Sequence, residues 1–179
     1  MDDDSVNFHY APYYCEENIW FLCQEAQFAK LALKVVIISN EFRTCPLWDQ
    51  RAGETGNPIF WDYHVILLCN STSWQVWDLD TTLGMPVDLG YYLRRTFSRD
   101  ETLEKQFALS VRIIPAEEYI ARFSSDRSHM KDAGNRWLAP PPPWPMIWRQ
   151  AGTDLMDLID MKKDSLGILM TLRDFGRHF

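Results

Sequence analysis

The chain has no lysine or arginine cluster. Its 18 basic residues are scattered among 25 acidic ones, for a net charge of −7. That balance excludes the basic footprint through which phosphate backbones are bound, so no nucleic-acid partner is expected. It favours cationic ligands instead, a free amino terminus among them. The four cysteines, Cys15, Cys23, Cys45 and Cys69, form no CxxC pair and no Cys/His zinc spacing, so no metal site is expected. An even count permits disulfides, but a chain able to build a large core does not need them. No apolar run approaches the ~18 residues of a membrane span, and the opening MDDDSVNF has no hydrophobic signal core. These absences lead to the expectation of a monomer in a reducing compartment, cytoplasmic or also nuclear, with no membrane partner.

What is present argues for a packed core. The 179 residues are 46% hydrophobic and 14% aromatic, with eight tryptophans, which argues against disorder and suits large side chains packed around a cleft. One catalytic domain over 1–179 is expected, with 1–9 as a frayed tail. From Glu16 the apolar residues Ile19, Leu22, Cys23, Ala26, Ala29 and Leu33 recur at helical steps. Lys34 to Ser39 reads as a strand, Thr44 to Trp48 as a second, and Gln50 to Pro58 as a loop. Asp88 to Phe97 reads as a helix, Gln106 to Ile114 as a strand, and Pro115 to Phe123 as a short helix.

The richest stretch is Ile59 to Thr81, IFWDYHVILLCNSTSWQVWDLDT. Two strand-like arms, Trp61 to Cys69 and Trp74 to Asp80, flank the turn formers Asn70 to Ser73, which predicts a β-hairpin. An odd loop of three or five residues would pair Leu68 with Trp74, Ile66 with Val76 and His64 with Asp78. An even loop would set apolar against polar, so the odd register is the one predicted. A histidine facing an aspartate is the base-and-orienter half of a nucleophilic triad, and it is equally the pattern of an ordinary buried His–Asp pair. A nucleophile has to decide between them. Cys15 stands at or just before a helix start, where a thiol pKa is lowered and backbone N–H groups converge, an effect that Glu16 and Glu17 oppose unless they point to solvent; its bland reading is a small core residue. Cys23 fits the core better. His129, in a polar loop with acids nearby, is the second candidate base, while His9 and His178 lie near the ends.

Ser124 to Trp148 is long and irregular and ends in PPPPWP, a polyproline II segment. It reads as a rigid wall with Trp137, Trp144 and Trp148 packed around it; a ligand for a proline-binding domain is the alternative. Such a non-catalytic interaction module is one rival function. Another is a different cysteine acyl-transfer enzyme, a protease or transglutaminase.

The words YYCEENIW (Tyr13 to Trp20), ISNE (Ile38 to Glu41), WDYHV (Trp61 to Val65), DLDT (Asp78 to Thr81), SDRSHMKD (Ser125 to Asp132) and PPPPWP (Pro140 to Pro145) come in the order in which the protein N-terminal glutamine amidohydrolase family has them. The chain resembles that family from about Tyr13 to Phe175. The resemblance implies a papain- or transglutaminase-like α+β fold, with a nucleophile-bearing helix packed on a mainly antiparallel β-sheet. It implies deamidation of an N-terminal glutamine of proteins or peptides to glutamate, with release of ammonia, upstream of an N-degron pathway. It places the triad on Cys15, His64 and Asp78 and needs no cofactor. Recognition of the substrate α-ammonium calls for a carboxylate or several carbonyl oxygens; Glu16, Glu17, Asp62 and Asp126 are the candidate acids, and each reads equally as a solvated or structural acid.

Overall fold

The first arm of the hairpin is apolar at nearly every position because both faces of its strand are covered. A computed structural model describes residues 8–97 and 105–179 of the chain. The expected tail at 1–9 therefore lies outside the described residues up to residue 7. Phe8 and His9 are packed, the first edge-on to Trp77 at 5.9 Å and the second stacked on Phe21 at 4.4 Å.

The strands in chain order are β1 (Ala32–Ser39), β2 (Cys45–Leu47), β3 (Ile59–Trp61), β4 (Tyr63–Asn70), β5 (Trp74–Trp77), β6 (Val87–Asp88), β7 (Ser110–Pro115), β8 (Phe123–Ser124), β9 (Thr153–Asp154) and β10 (Ile168–Thr171). The helices are α1 (Cys15–Leu22), α2 (Leu89–Thr96), α3 (Ala116–Arg122), α4 (Leu155–Ile159) and α5 (Leu172–His178). Among the described residues the main sheet has six strands in the order β10-β7-β1-β4-β5-β6. Every neighbouring pair in it is antiparallel. Two small two-stranded sheets, β2-β3 and β8-β9, stand beside it. This is the mixed, mainly antiparallel architecture expected.

Parity along β4 sorts the core. Tyr63, Val65, Leu67 and Cys69 join Val35 and Ile37 of β1 against Cys15, Ile19 and Leu22 of α1, Tyr119 of α3 and Leu155 of α4. Ile66 and Leu68 join Val36 and Ile38 against Leu89 and Tyr92 of α2 and Phe175 of α5. Each such side chain contributes about 1.5–3 kcal/mol on burial, so a one-residue slip of β4 would disrupt both layers at once. Central strands read as continuous apolar runs for this reason.

Two readings are corrected here. The helix starting at Cys15 ends at Leu22, not near Leu33. Leu33 instead pairs with Cys69, because the β-branched run Val35 to Ile38 draws the chain into β1 along β4. The hairpin loop is odd, Ser71 to Ser73, but Leu68 pairs with Val76 and Asn70 with Trp74. That register lies two residues from the expected one and keeps its parity, so His64 and Asp78 are not ladder partners. The second arm is also short, stopping at Trp77. There Asp78 Oδ1 accepts from the Asp80 N–H at 2.9 Å and curls the chain out of the ladder.

Strand β10 has no forerunner among the expected elements. Its entry depends on Gly167, at φ 77°, where a Cβ would lie 2.3 Å from the Ile113 carbonyl oxygen. The preceding segment is held by Arg112, buried in β7, whose guanidinium donates to the carbonyls of Leu158, Asp160, Lys163 and Leu166 at 2.8–3.2 Å.

Candidate active site

Cys15 is the first residue of α1. The segment before the helix is tied down by Asn18, whose side chain pairs with both backbone groups of Ala11 at 2.8 and 2.9 Å. Tyr13 takes a left-handed φ of 70°, and its ring meets Trp61 edge-on at 5.9 Å. Cys15 and His64 line one cavity of about 430 Å³, together with Tyr13, Trp61, Asp80 and His129.

His64 sits near the start of β4, 2% exposed. Its Nε2 lies 2.9 Å from Asp78 Oδ1, although the pair is off register, because the turn at Asp78 brings the carboxylate back to the strand. Nε2 is thereby engaged by Asp78, and Nδ1 is the other ring nitrogen. Asp78 also accepts from Gln50 Nε2 at 3.1 Å and from the Tyr92 hydroxyl at 2.7 Å. Burial alone would raise the Asp78 carboxyl, but the His64 charge and the hydrogen bonds from His64, Gln50 and Tyr92 outweigh it and hold the group below its usual range. For His64 burial favours the neutral ring, yet the Asp78 charge and hydrogen bond prevail, aided by Asp80 and Glu16, and its pKa is raised. Gln50 and Tyr92 were missed by sequence reasoning: the first stood in a glycine-rich loop, and the second read as one more apolar position of a helix.

The Cys15 thiol departs from expectation. Burial first, then the Glu16 and Asp80 carboxylates, push its pKa well up, and a hydrogen bond from the Val65 backbone N–H only partly opposes them. The helix start does not lower it. Sγ donates to Glu16 Oε2 at 3.8 Å. These influences favour the neutral thiol over the thiolate.

The four acids proposed for the α-ammonium fall into different places. Glu17 is fully buried and saturated, with Arg127 Nε on Oε1 and Nη2 on Oε2, both at 2.7 Å, and Trp144 Nε1 on Oε2 at 2.6 Å. Asp126 is exposed and caps the Ser128 N–H at 2.8 Å in its own turn. Neither lies on the cavity. Asp62 does, at its exposed rim, with one oxygen on the Tyr63 N–H at 3.1 Å. Glu16 is fully buried behind Tyr63, whose hydroxyl donates to it at 2.8 Å and stands 3.2 Å from His129 Nε2. Burial pushes the Glu16 carboxyl up to about 8. Burial also lowers the His129 pKa, keeping that ring neutral.

Among the described residues, His64, Asp78 and Asp80 are the titratable groups whose ligand atoms lie within 4.8 Å of one another, but His64 and Asp78 spend their facing atoms on each other. The polyproline segment is a wall only in part. Trp144 is anchored on Glu17, whereas Trp137 and Trp148 are 41% and 67% exposed, contrary to the packed reading.

The family model described as N-terminal glutamine amidase matches residues 10–179. The protein N-terminal glutamine amidohydrolase of Homo sapiens is 39% identical over 180 residues, covering 95% of this chain and 87% of that protein. Its counterpart from Bos taurus is 41% identical over 174 residues, 93% of this chain and 84% of that protein. The Danio rerio protein is 37% identical over 178 residues, 95% of this chain and 88% of that protein. On this coverage and identity the chain belongs to the N-terminal glutamine amidase family, by name a family of hydrolases of an amide carbon–nitrogen bond.

Proposed function

We propose that the protein removes the side-chain amide of an amino-terminal glutamine on proteins or peptides, leaving glutamate and ammonia, with Cys15 as nucleophile, His64 as base and acid, and Asp78 as orienter. The single observation that carries the reading is the His64–Asp78 pair at 2.9 Å opening on the cavity that Cys15 lines. Family membership supports the substrate class. The helix-borne cysteine and strand-borne histidine follow the papain- and transglutaminase-like scheme, and no cofactor enters it.

A carboxamide is a weak electrophile with a poor leaving group, so a covalent intermediate divides one difficult step into two. His64 Nδ1 takes the thiol proton as Sγ attacks the side-chain carbonyl carbon. Backbone N–H groups in the first turn of α1, that of Cys15 included, face the oxyanion. His64 returns the proton to nitrogen, and ammonia leaves a thioester. Water, deprotonated by His64, attacks the thioester carbon and regenerates the thiol. Asp78, ionised and held by four donors, keeps the imidazole in one tautomer and stabilises its cation.

The product exposes an amino-terminal glutamate, the feature that an N-degron pathway would read; the deamidated protein is thus a supply for that pathway. The decisive experiment incubates a glutamine-initiated peptide with the protein and follows ammonia and peptide mass. A gain of about one dalton with ammonia, the signature of acyl transfer from nitrogen to water, supports the reading. Peptide-bond cleavage or cross-linking to an added amine would instead assign a protease or a transglutaminase.

A further inference from the structure

Of the two cavity carboxylates outside the triad, Asp62 and Asp80, only Asp80 is buried. It is 7% exposed, lines the same cavity as Cys15 and His64, and falls within 4.8 Å of ligand atoms of His64 and Asp78. Its Oδ1 is held by the Tyr10 hydroxyl at 2.7 Å, from the segment that runs into α1. Among the described residues no lysine or arginine is ion-paired with it. The His64 and Arg51 charges act on it, but burial opposes its ionisation more strongly, so the site favours a ligand that brings a further cation.

We propose that Asp80, positioned by Tyr10, binds the α-ammonium of the substrate's first residue. This rests on the deamidation reading above and adds the residue that selects a chain terminus. Four bonds separate the α-nitrogen of glutamine from its side-chain carbonyl carbon, a span of at most ~5 Å. With that carbon at Cys15 Sγ, the ammonium has to be bound close to the triad. Glu17 and Asp126 are off the cavity and already bonded. Glu16 is closed off behind Tyr63. Asp62 reaches the cavity from its exposed rim, where solvent screens an ion pair. Asp80 combines burial, a fixed geometry and access. An acylated or missing amine leaves it unmatched, so the same contact that binds the terminus penalises its absence.

The test compares a glutamine-initiated peptide with its des-amino analogue, in which the first residue is a 4-carbamoylbutanoyl group. The wild-type protein should prefer the amine-bearing peptide at least about tenfold in kcat/KM. In Asp80→Asn that ratio should collapse at least about fivefold, chiefly through KM for the amine-bearing peptide. Any effect of the variant on His64 touches both substrates and cancels in the ratio. Tyr10→Phe should shift the ratio in the same direction by about twofold or more, and it serves as the deciding variant if Asp80→Asn does not fold. A ratio unchanged in the folded variants overturns the assignment and leaves Asp80 a neighbour that tunes His64. No ammonia from the glutamine-initiated peptide with the wild-type protein would sink the deamidation reading, and this proposal with it.

Discussion

Arg127 reaches back 110 residues to form a two-toothed ion pair with Glu17, Nε to Oε1 and Nη2 to Oε2 both at 2.7 Å, with the carboxylate wholly out of solvent. The pair ties the irregular segment after β8 to the first turn of α1, and Trp144 adds a third bond from the polyproline wall. Removing one partner leaves an uncompensated buried charge. Arg127→Ala should cost about 3–5 kcal/mol in denaturant-induced unfolding, whereas Arg127→Met with Glu17→Gln should recover part of the loss. A loss below about 1 kcal/mol would mean that the pair is solvated and does not hold the site together.

Cys15→Ala and Cys15→Ser should abolish ammonia release and keep the circular dichroism spectrum and melting temperature close to wild type. Cys23, Cys45 and Cys69 are buried in the core, away from the cavity. Their conservative replacement by Ala or Val should leave turnover measurable. Activity lost in one of those variants and retained in Cys15→Ala would move the nucleophile elsewhere.

Asp78→Asn leaves the volume unchanged but removes the charge that fixes the His64 tautomer. By the logic of base orienters it should lower kcat by about 10³–10⁴-fold. Tyr92→Phe removes one donor at 2.7 Å from Asp78 Oδ2. It should cost about 0.5–1.5 kcal/mol of stability and no more than about tenfold in rate. If Tyr92→Phe were as damaging as Asp78→Asn, the hydroxyl itself would have to take part in the chemistry.

Glu16 should make stability depend on pH. Its carboxyl is raised from 4.5 to about 8, burial being the main cause. A group that binds its proton more tightly in the folded protein contributes stability that is whole below the unfolded pKa and is lost as pH rises through the folded one. Melting temperature should therefore fall between pH 5 and 8 (roughly, by this linkage) in the wild type and fall less steeply in Glu16→Gln. Parallel curves for the two proteins would show that Glu16 does not titrate in this window.

The reaction should demand both a free amine and a glutamine side chain at the first position. An acetylated glutamine peptide should react at least about tenfold slower, an effect of roughly 1.4 kcal/mol in transition-state binding. Asparagine at the first position places its amide carbon one methylene short of Sγ, and glutamine at the second position sets peptide where the ammonium belongs; both should react more slowly still. Four otherwise identical peptides, assayed for ammonia, decide the matter. Equal rates for the free and acetylated peptides would favour a general glutaminyl deamidase.

Local pattern was enough for the elements that carry the proposed triad. A helix starting at Cys15, an apolar strand through His64 and an odd-numbered turn follow from periodicity and turn chemistry, and the site words point to Cys15, His64 and Asp78. Parity was legible because alternate residues must face alternate layers. The register itself was not, since a shift of two residues keeps every side chain on its face. Continued past Trp77, the true ladder would set His64 opposite Asp80, the second aspartate of DLDT. Only the turn at Asp78, held by the Asp80 N–H and met by Gln50 and Tyr92 from distant elements, decides that the first aspartate touches the histidine. The rise of the Cys15 pKa has the same origin. A helix start is a local feature and lowers a thiol pKa, and the neighbouring Glu16 opposes it when it does not point to solvent; the fold decides the outcome by burying both residues and bringing Asp80 near. Likewise four acids with equal claim in the sequence become a saturated structural anchor, a turn cap, a rim carboxylate and a sealed one, because burial and partners are properties of the packed molecule and not of the chain.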